Sequence, residues 1–186
     1  MAGGFSTTRA WHFAVGPASA RTLGHSITHM PTTPFKDNAG VIAPAPVLYG
    51  IAFAVGFAAE KIAPTQLLSF PVSAWLGFSF IVVAIAIVTS AFKALAQAHT
   101  AFDERKSTTK VVTTGAFRLS RNPTYLSLTL LLIGIAFAIS SLWVLASVIP
   151  AVVATQWGVI LREERYLKEK FGEGYSSYAS KVRRWL

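Results

Sequence analysis

Residues 113–125 read Thr-Thr-Gly-Ala-Phe-Arg-Leu-Ser-Arg-Asn-Pro-Thr-Tyr, between stretches apolar enough to cross a bilayer. A glycine turn at Gly115, the pair Arg118 and Arg121, and the break at Asn122-Pro123 are costly at a membrane surface unless they hold something anionic. A guanidinium grips a carboxylate or phosphate through a two-pronged fork. A second polar cluster, Arg162-Glu163-Glu164-Arg165, stands at the foot of the last apolar stretch. A carboxylate there suits an ammonium group or ribose hydroxyls. Together the clusters suit a small zwitterionic ligand in a site opened toward lipid. Each also has a plainer reading: snorkelling arginines that anchor a basic loop, and a solvated helix face on which Glu163 and Glu164 pair with Arg162, Arg165 and Lys168.

Four apolar segments must position these clusters. With 53% apolar and 13% charged residues among 186, the chain is too oily for an ordinary soluble domain. The segments are 41–59, 72–92, 125–139 and 142–161, and a bilayer core takes about 20 helical residues. The third is short, and only Ser140-Ser141 separates it from the fourth, so the two are expected to form a tight helical hairpin. Asn122-Pro123 starts the third, because proline is tolerated in the first helical turn. Pro44 and Pro46 mark the approach to the first, and Glu60-Lys61 with Pro64 the turn to the second. The last part predicts a charged helix over 164–171, broken by Gly172 and Gly174. An amphipathic helix then carries Tyr175, Tyr178, Ala179, Val182 and Trp185 on one face, to lie in the interface or cap the bundle. The expected fold is all-α: an integral membrane bundle of about four transmembrane helices plus this C-terminal helix. Two regions follow, a mobile N-terminal tail over 1–40 and a membrane domain over 41–186.

Charge placement orients the bundle. Of the 17 Lys and Arg residues, three, six and seven fall in the N-terminal stretch, the 93–122 loop and the C-terminal tail, and Lys61 alone falls on the other side. The positive-inside rule puts both clusters and both termini in the cytoplasm, in a multi-pass protein. The formal net charge of +9 then reflects topology and anionic membrane lipid, and no nucleic-acid partner is expected. The absence of cysteine excludes disulfides, thiolate metal sites and a cysteine nucleophile. His25 and His29 stand at i,i+4 with no third ligand to support a metal site, so no metal is expected. His99 closes the second span. Tyr125 and Tyr166 are expected as interfacial aromatics, and Gln156 continues the face of Glu163 as a polar track. Gly115 lacks the further glycines of a dinucleotide loop. The tail is poor in acidic residues, and its alternative reading is an organelle-targeting segment.

The run Gly-x-Phe-Arg-x-Ser-Arg-Asn-Pro-x-Tyr-Leu over 115–126 resembles the signature of the isoprenylcysteine carboxyl methyltransferase and phospholipid methyltransferase family. The ending is similar too: Ile160-Leu161-Arg162-Glu163-Glu164-Arg165-Tyr166-Leu167, then Phe171-Gly172, Tyr175, Tyr178 and Val182-Arg183-Arg184-Trp185. The resemblance covers roughly residues 41–186. It implies S-adenosylmethionine as cofactor and a lipophilic methyl acceptor, such as a prenylated-cysteine carboxylate or a phospholipid amine. The cofactor seat it implies comprises Arg121, Asn122, Pro123 and Tyr125 with Glu163 and Glu164, and backbone from Val112 and Thr113 to Gly115 for the adenosine. Arg118, in the same motif, is expected to join the cofactor seat. Arg121 and Glu163 are the pair expected to carry catalysis, Arg121 on a carboxylate and Glu163 or Glu164 on the amino group or ribose. Asn122 stands where eukaryotic members usually carry His, and Ala116 where proline is common.

Two other classes compete. Sterol-type reductases that use NADPH look similar over the same C-terminal region, but the Glu-Glu pair would repel that cofactor's extra phosphate. A non-enzymatic membrane adaptor would use the basic loops simply to bind anionic lipid.

Overall fold

In the computed structural model, residues 39–98 and 110–186 are described, and all of them lie in one compact unit. The helices expected from sequence are present. Helix α1 spans Ala45–Ile62 and α2 spans Val72–Gln97; α3 is Pro123–Ala138 and α4 is Leu142–Thr155. A π-helical turn, Gln156–Ile160, joins α4 to α5 (Leu161–Phe171), and α6 is Glu173–Lys181. Among the described residues there is no strand. Three helical runs are long and apolar enough to cross a membrane: Ala45–Ile62, Val72–Gln97 and the continuous Leu142–Phe171. Helix α3 is apolar but only 16 residues long, about 24 Å of rise against a hydrocarbon core of about 30 Å. The tail before residue 39, His25, His29 and His99 lie outside the described residues.

Local sequence sets the helix ends. Asn122 precedes α3 and Pro123 opens it, its missing N–H costing nothing in the first turn. The α3–α4 hairpin turns on Ser140 at φ 53°, and the Ser141 hydroxyl caps α4 by accepting from the Val144 N–H. At this end the hairpin is tied to the α1–α2 connection. The Glu60 carboxylate accepts from the hydroxyls of Thr65 (2.6 Å) and Ser141, and the Trp143 indole donates to the Ala63 carbonyl (2.8 Å).

Close approach holds the helices together where hydrophobic burial cannot, because lipid is as apolar as leucine. A Cβ on Gly77 of α2 would lie 2.5 Å from the Ala138 backbone nitrogen and 2.7 Å from the Gly134 carbonyl oxygen of α3. On the other side, Tyr49 of α1 packs with Leu132, Ala136, Val144, Val148 and Ala151, and its hydroxyl meets Thr129 Oγ1 at 2.6 Å. The outward faces of α1 and α2 stay apolar and exposed, with Ile51, Val55, Trp75, Phe78 and Ile85 among them. That pattern suits lipid contact.

The final helix differs from expectation. Helix α6 stops at Lys181, and Val182 is extended at φ −118°, ψ 132°. The helical spacing that runs on to Trp185 is therefore not followed by the backbone.

Candidate active site

The short 3₁₀ turn Gly115–Arg118, the start of α3, and α5 with α6 and the residues after it meet at the polar end of the bundle. Gly115 adopts φ +59°, a conformation that disfavours a side chain. Its backbone rests on α2, since a Cβ there would sit 3.1 Å from Ser90 Oγ and 3.2 Å from the Ser90 carbonyl oxygen.

The last residues explain the break in α6. The Arg121 N–H donates to the Arg183 carbonyl (2.9 Å), and both the Ser120 hydroxyl (3.0 Å) and the Asn122 amide (3.0 Å) donate to the Arg184 carbonyl. The Trp185 indole donates to Gln156 Oε1 (3.0 Å) in the π-helical turn, and the Tyr178 hydroxyl to the Phe117 carbonyl (2.7 Å). Each such bond contributes roughly 0.5–1.5 kcal/mol net. Together they outweigh one more helical turn and sew the C-terminus onto the 117–122 segment.

Glu164 is the hub of the cluster. Arg184 binds it with two parallel bonds, Nε to Oε1 at 2.9 Å and Nη2 to Oε2 at 2.7 Å. Arg121 Nη1 lies 3.2 Å from Glu164 Oε1, with both side chains about 15% exposed (15% and 14%). The Arg121 guanidinium also hydrogen-bonds the Tyr175 hydroxyl, and the charges of both Glu163 and Glu164 act on that hydroxyl. Arg121 Nε is buried and has no hydrogen-bond partner among the described residues. An orphaned buried N–H beside a charge is unusual, and it suits an acceptor atom brought by a ligand.

The structure thus gathers Arg121, Asn122, Glu163 and Glu164 as expected from sequence, with the fully buried Pro123 fixing the start of α3 beside them. Arg118 goes elsewhere. It is exposed and, with Thr113, Ser177, Tyr178 and Lys181, lines a separate cavity of about 450 Å³ between the 3₁₀ turn and α6. Val112 is half-buried. Tyr125 and Tyr166, expected at the headgroup level, are buried instead, at 4% and 6% exposure. Tyr125 belongs to a core group with Ala45, Val159 and Ile160, against which Trp185 packs. Gln156 serves Trp185, because the π-helical turn adds a residue between it and Glu163 and shifts its face. Sequence reasoning placed neither Ser120 nor Arg184 in the site. The run Arg183-Arg184-Trp185 is the signal in the sequence that points to Arg184.

Burial holds the Tyr178 hydroxyl far above its usual range, with the neighbouring Tyr175 adding to the effect. Burial also raises Tyr175, helped by the Glu164 charge and opposed by its hydrogen bond with Arg121. Arg184 is held more firmly charged, chiefly by its hydrogen bonds with Glu164. Below pH 10 both tyrosines are neutral whether folded or not, so they contribute no pH dependence. Above it the unfolded chain ionises first, and the attachment of α6 loses about 1.4 kcal/mol per pH unit for each tyrosine. Tyrosinate absorbance is expected to show a late step that loses amplitude in Tyr175→Phe/Tyr178→Phe, the other buried tyrosines keeping theirs, and an undiminished step there would contradict the burial of these two hydroxyls.

Comparison with known proteins places the chain. The sequence model of one family, described as phospholipid methyltransferase, matches residues 72–174. An uncharacterized protein of Haemophilus influenzae is 40% identical over 62 residues, covering 33% of this chain and 98% of that protein. The family match includes Arg121, Asn122, Glu163 and Glu164 and ends just before Tyr175.

Proposed function

We propose, since the chain belongs to the phospholipid methyltransferase family, that this membrane protein transfers a methyl group from S-adenosylmethionine to a lipophilic acceptor at the cytoplasmic face. The orphaned Arg121 Nε beside the two glutamates carries the reading. The cofactor's amino-acid end bears a carboxylate and an ammonium, and the cluster offers one group for each. Arg121 takes the carboxylate, Glu163 the ammonium or the ribose hydroxyls, and the backbone from Val112 through Thr113 to Gly115 takes the adenosine. Both Glu164 oxygens are engaged by arginines, so Glu164 positions Arg121 and the C-terminus rather than binding ligand itself. Asn122 has the same kind of role, through its bond to Arg184.

The bound cofactor supplies an activated methyl group on a sulfonium for in-line displacement by the acceptor. The protein's part is then alignment and exclusion of water rather than strong base catalysis. Orientation alone is worth roughly 7–11 kcal/mol in well-held systems. A carboxylate or thiolate acceptor needs no proton removed, whereas an amine must lose one. With four spans, sixteen of the 17 basic residues of the sequence would fall on the side of this cluster, and that bias supports a multi-pass arrangement with the site and both termini in the cytoplasm.

The test is transfer of labelled methyl from S-adenosylmethionine into a total lipid extract by protein reconstituted in vesicles. Wild type is expected to label a lipid fraction. Arg121→Ala, which removes a charged hydrogen-bond donor worth roughly 1.5–3 kcal/mol, is expected to cut the rate at least tenfold. Equal labelling by the two proteins would contradict the assignment of Arg121.

A further inference from the structure

One face of α2 is polar where the rest of its outward surface is apolar. Thr89, Ser90, Lys93 and Gln97 recur at three- and four-residue spacing, so they share a face. With Thr114 and Gly115 they line a cavity of about 410 Å³. The Gly115 turn, six residues before Arg121, closes one side of it, lying directly on Ser90 and Ala94. The cavity reaches back to Ala86, and from there to Gln97 the helix rises about 16 Å, roughly half the hydrocarbon thickness. It therefore runs from membrane depth to the polar end of the bundle. Lys93 is exposed and is the cation among the described lining residues, none of which is acidic.

A cavity that starts in hydrocarbon and ends on a cation has the polarity of an amphiphile with an anionic head. A lysine that merely snorkels needs no hydroxyls and amide beside it, nor a cavity wall made by the loop that leads into the cofactor cluster. We infer that this groove seats the methyl acceptor, and that the acceptor is an amphiphile with an anionic headgroup, its charge at Lys93 and its chain along α2 past Ala86. The inference rests on the methyl-transfer reading above. It names the substrate class and makes Lys93 the residue that selects it. Gly115 gives the acceptor a path without a side chain toward the adjoining 112–125 segment.

The test uses a photoactivatable dodecyl phosphate and its dodecyl-trimethylammonium counterpart, in nanodiscs of neutral phosphatidylcholine holding the full chain. Labelled peptides are mapped by mass spectrometry. Wild type is expected to take at least fivefold more label from the phosphate than from the ammonium on residues 86–97. Lys93→Glu is expected to reverse that preference, Ala86→Trp to reduce label from both, and a control Lys168→Glu to leave it unchanged. S-adenosylhomocysteine affinity is expected to stay within twofold in all variants, which shows that they are folded. Equal labelling of this peptide in wild type and Lys93→Glu, or an equal effect of Lys168→Glu, would overturn the inference. Charge-dependent labelling at Lys93 with no S-adenosylhomocysteine binding by wild type would overturn the acceptor role together with the methyl-transfer reading, leaving a site for an anionic amphiphile.

Discussion

Replacing Glu164 by alanine is expected to loosen the C-terminal residues and lower methyl transfer at least 30-fold. Three side-chain bonds converge on this carboxylate, two from Arg184 and one from Arg121. Removing it leaves Arg121 mostly buried beside an already unpartnered Nε. Breaking one side of a fully buried ion pair costs roughly 3–5 kcal/mol. Here Arg184 is 35% exposed and recovers part of its hydration, so about 2–3 kcal/mol is the better expectation. The backbone bonds from 120–122 to 183 and 184 remain, so the change is local opening rather than global unfolding. Hydrogen exchange in residues 175–186 is expected to accelerate roughly 30- to 150-fold, while α3 and α4 keep their protection. Glu164→Gln retains shape without charge and is expected to fall between. Once Glu164 is alanine, adding Arg184→Ala is expected to cost little more, the non-additivity of a shared interaction. Unchanged exchange in the C-terminal residues of Glu164→Ala would show that the ion pairs do not hold them.

The second large effect is expected at Gly77. Every close neighbour of a Cβ there is backbone: the Ala138 nitrogen at 2.5 Å, the Gly134 oxygen at 2.7 Å and Ala138 Cα at 2.8 Å. No side chain can swing aside, so α2 and α3 must separate to admit even a methyl group. Overpacking costs roughly 1–3 kcal/mol in ordinary cores, and a clash with backbone alone belongs at the upper end. Gly77→Ala is expected to lower the unfolding free energy in micelles by about 3 kcal/mol, and Gly77→Leu to prevent accumulation of folded protein. Gly50 of α1 is the contrast, with nothing within 4 Å of its Cβ position. Gly50→Ala is expected to be neutral or to stabilise by about 0.5–1 kcal/mol through helix propensity. Equal stability of the two alanine variants would rule out close α2–α3 contact at this point.

Much of this architecture is legible in the residues themselves. Asn122-Pro123 marks the start of α3 and Ser140-Ser141 the hairpin because proline and helix-capping hydroxyls act locally. The pairing of the 115–125 run with the Glu163-Glu164 pair is also legible, since both are polar groups at the same end of apolar helices. What depends on distant partners is not. Spacing alone continues α6 through Trp185, and only the donors Ser120, Arg121 and Asn122, some 60 residues earlier, pull Val182 onward into extended backbone. Arg118 and Arg121 look equivalent in sequence, yet the short 3₁₀ turn sends one to a cavity with Lys181 and the other to Glu164. Tyr125 reads as an interfacial aromatic, and the packing of α1 and the π-helical turn around it buries it.

The central claim is that Arg121 and Glu163 hold the methyl donor. Calorimetric titration of the purified protein in detergent with S-adenosylhomocysteine tests it most directly. The expected result is saturable one-to-one binding by wild type, weakened at least tenfold in both Arg121→Ala and Glu163→Ala and unchanged in Lys168→Ala. No binding by wild type, or binding that survives intact in both site variants, would contradict it.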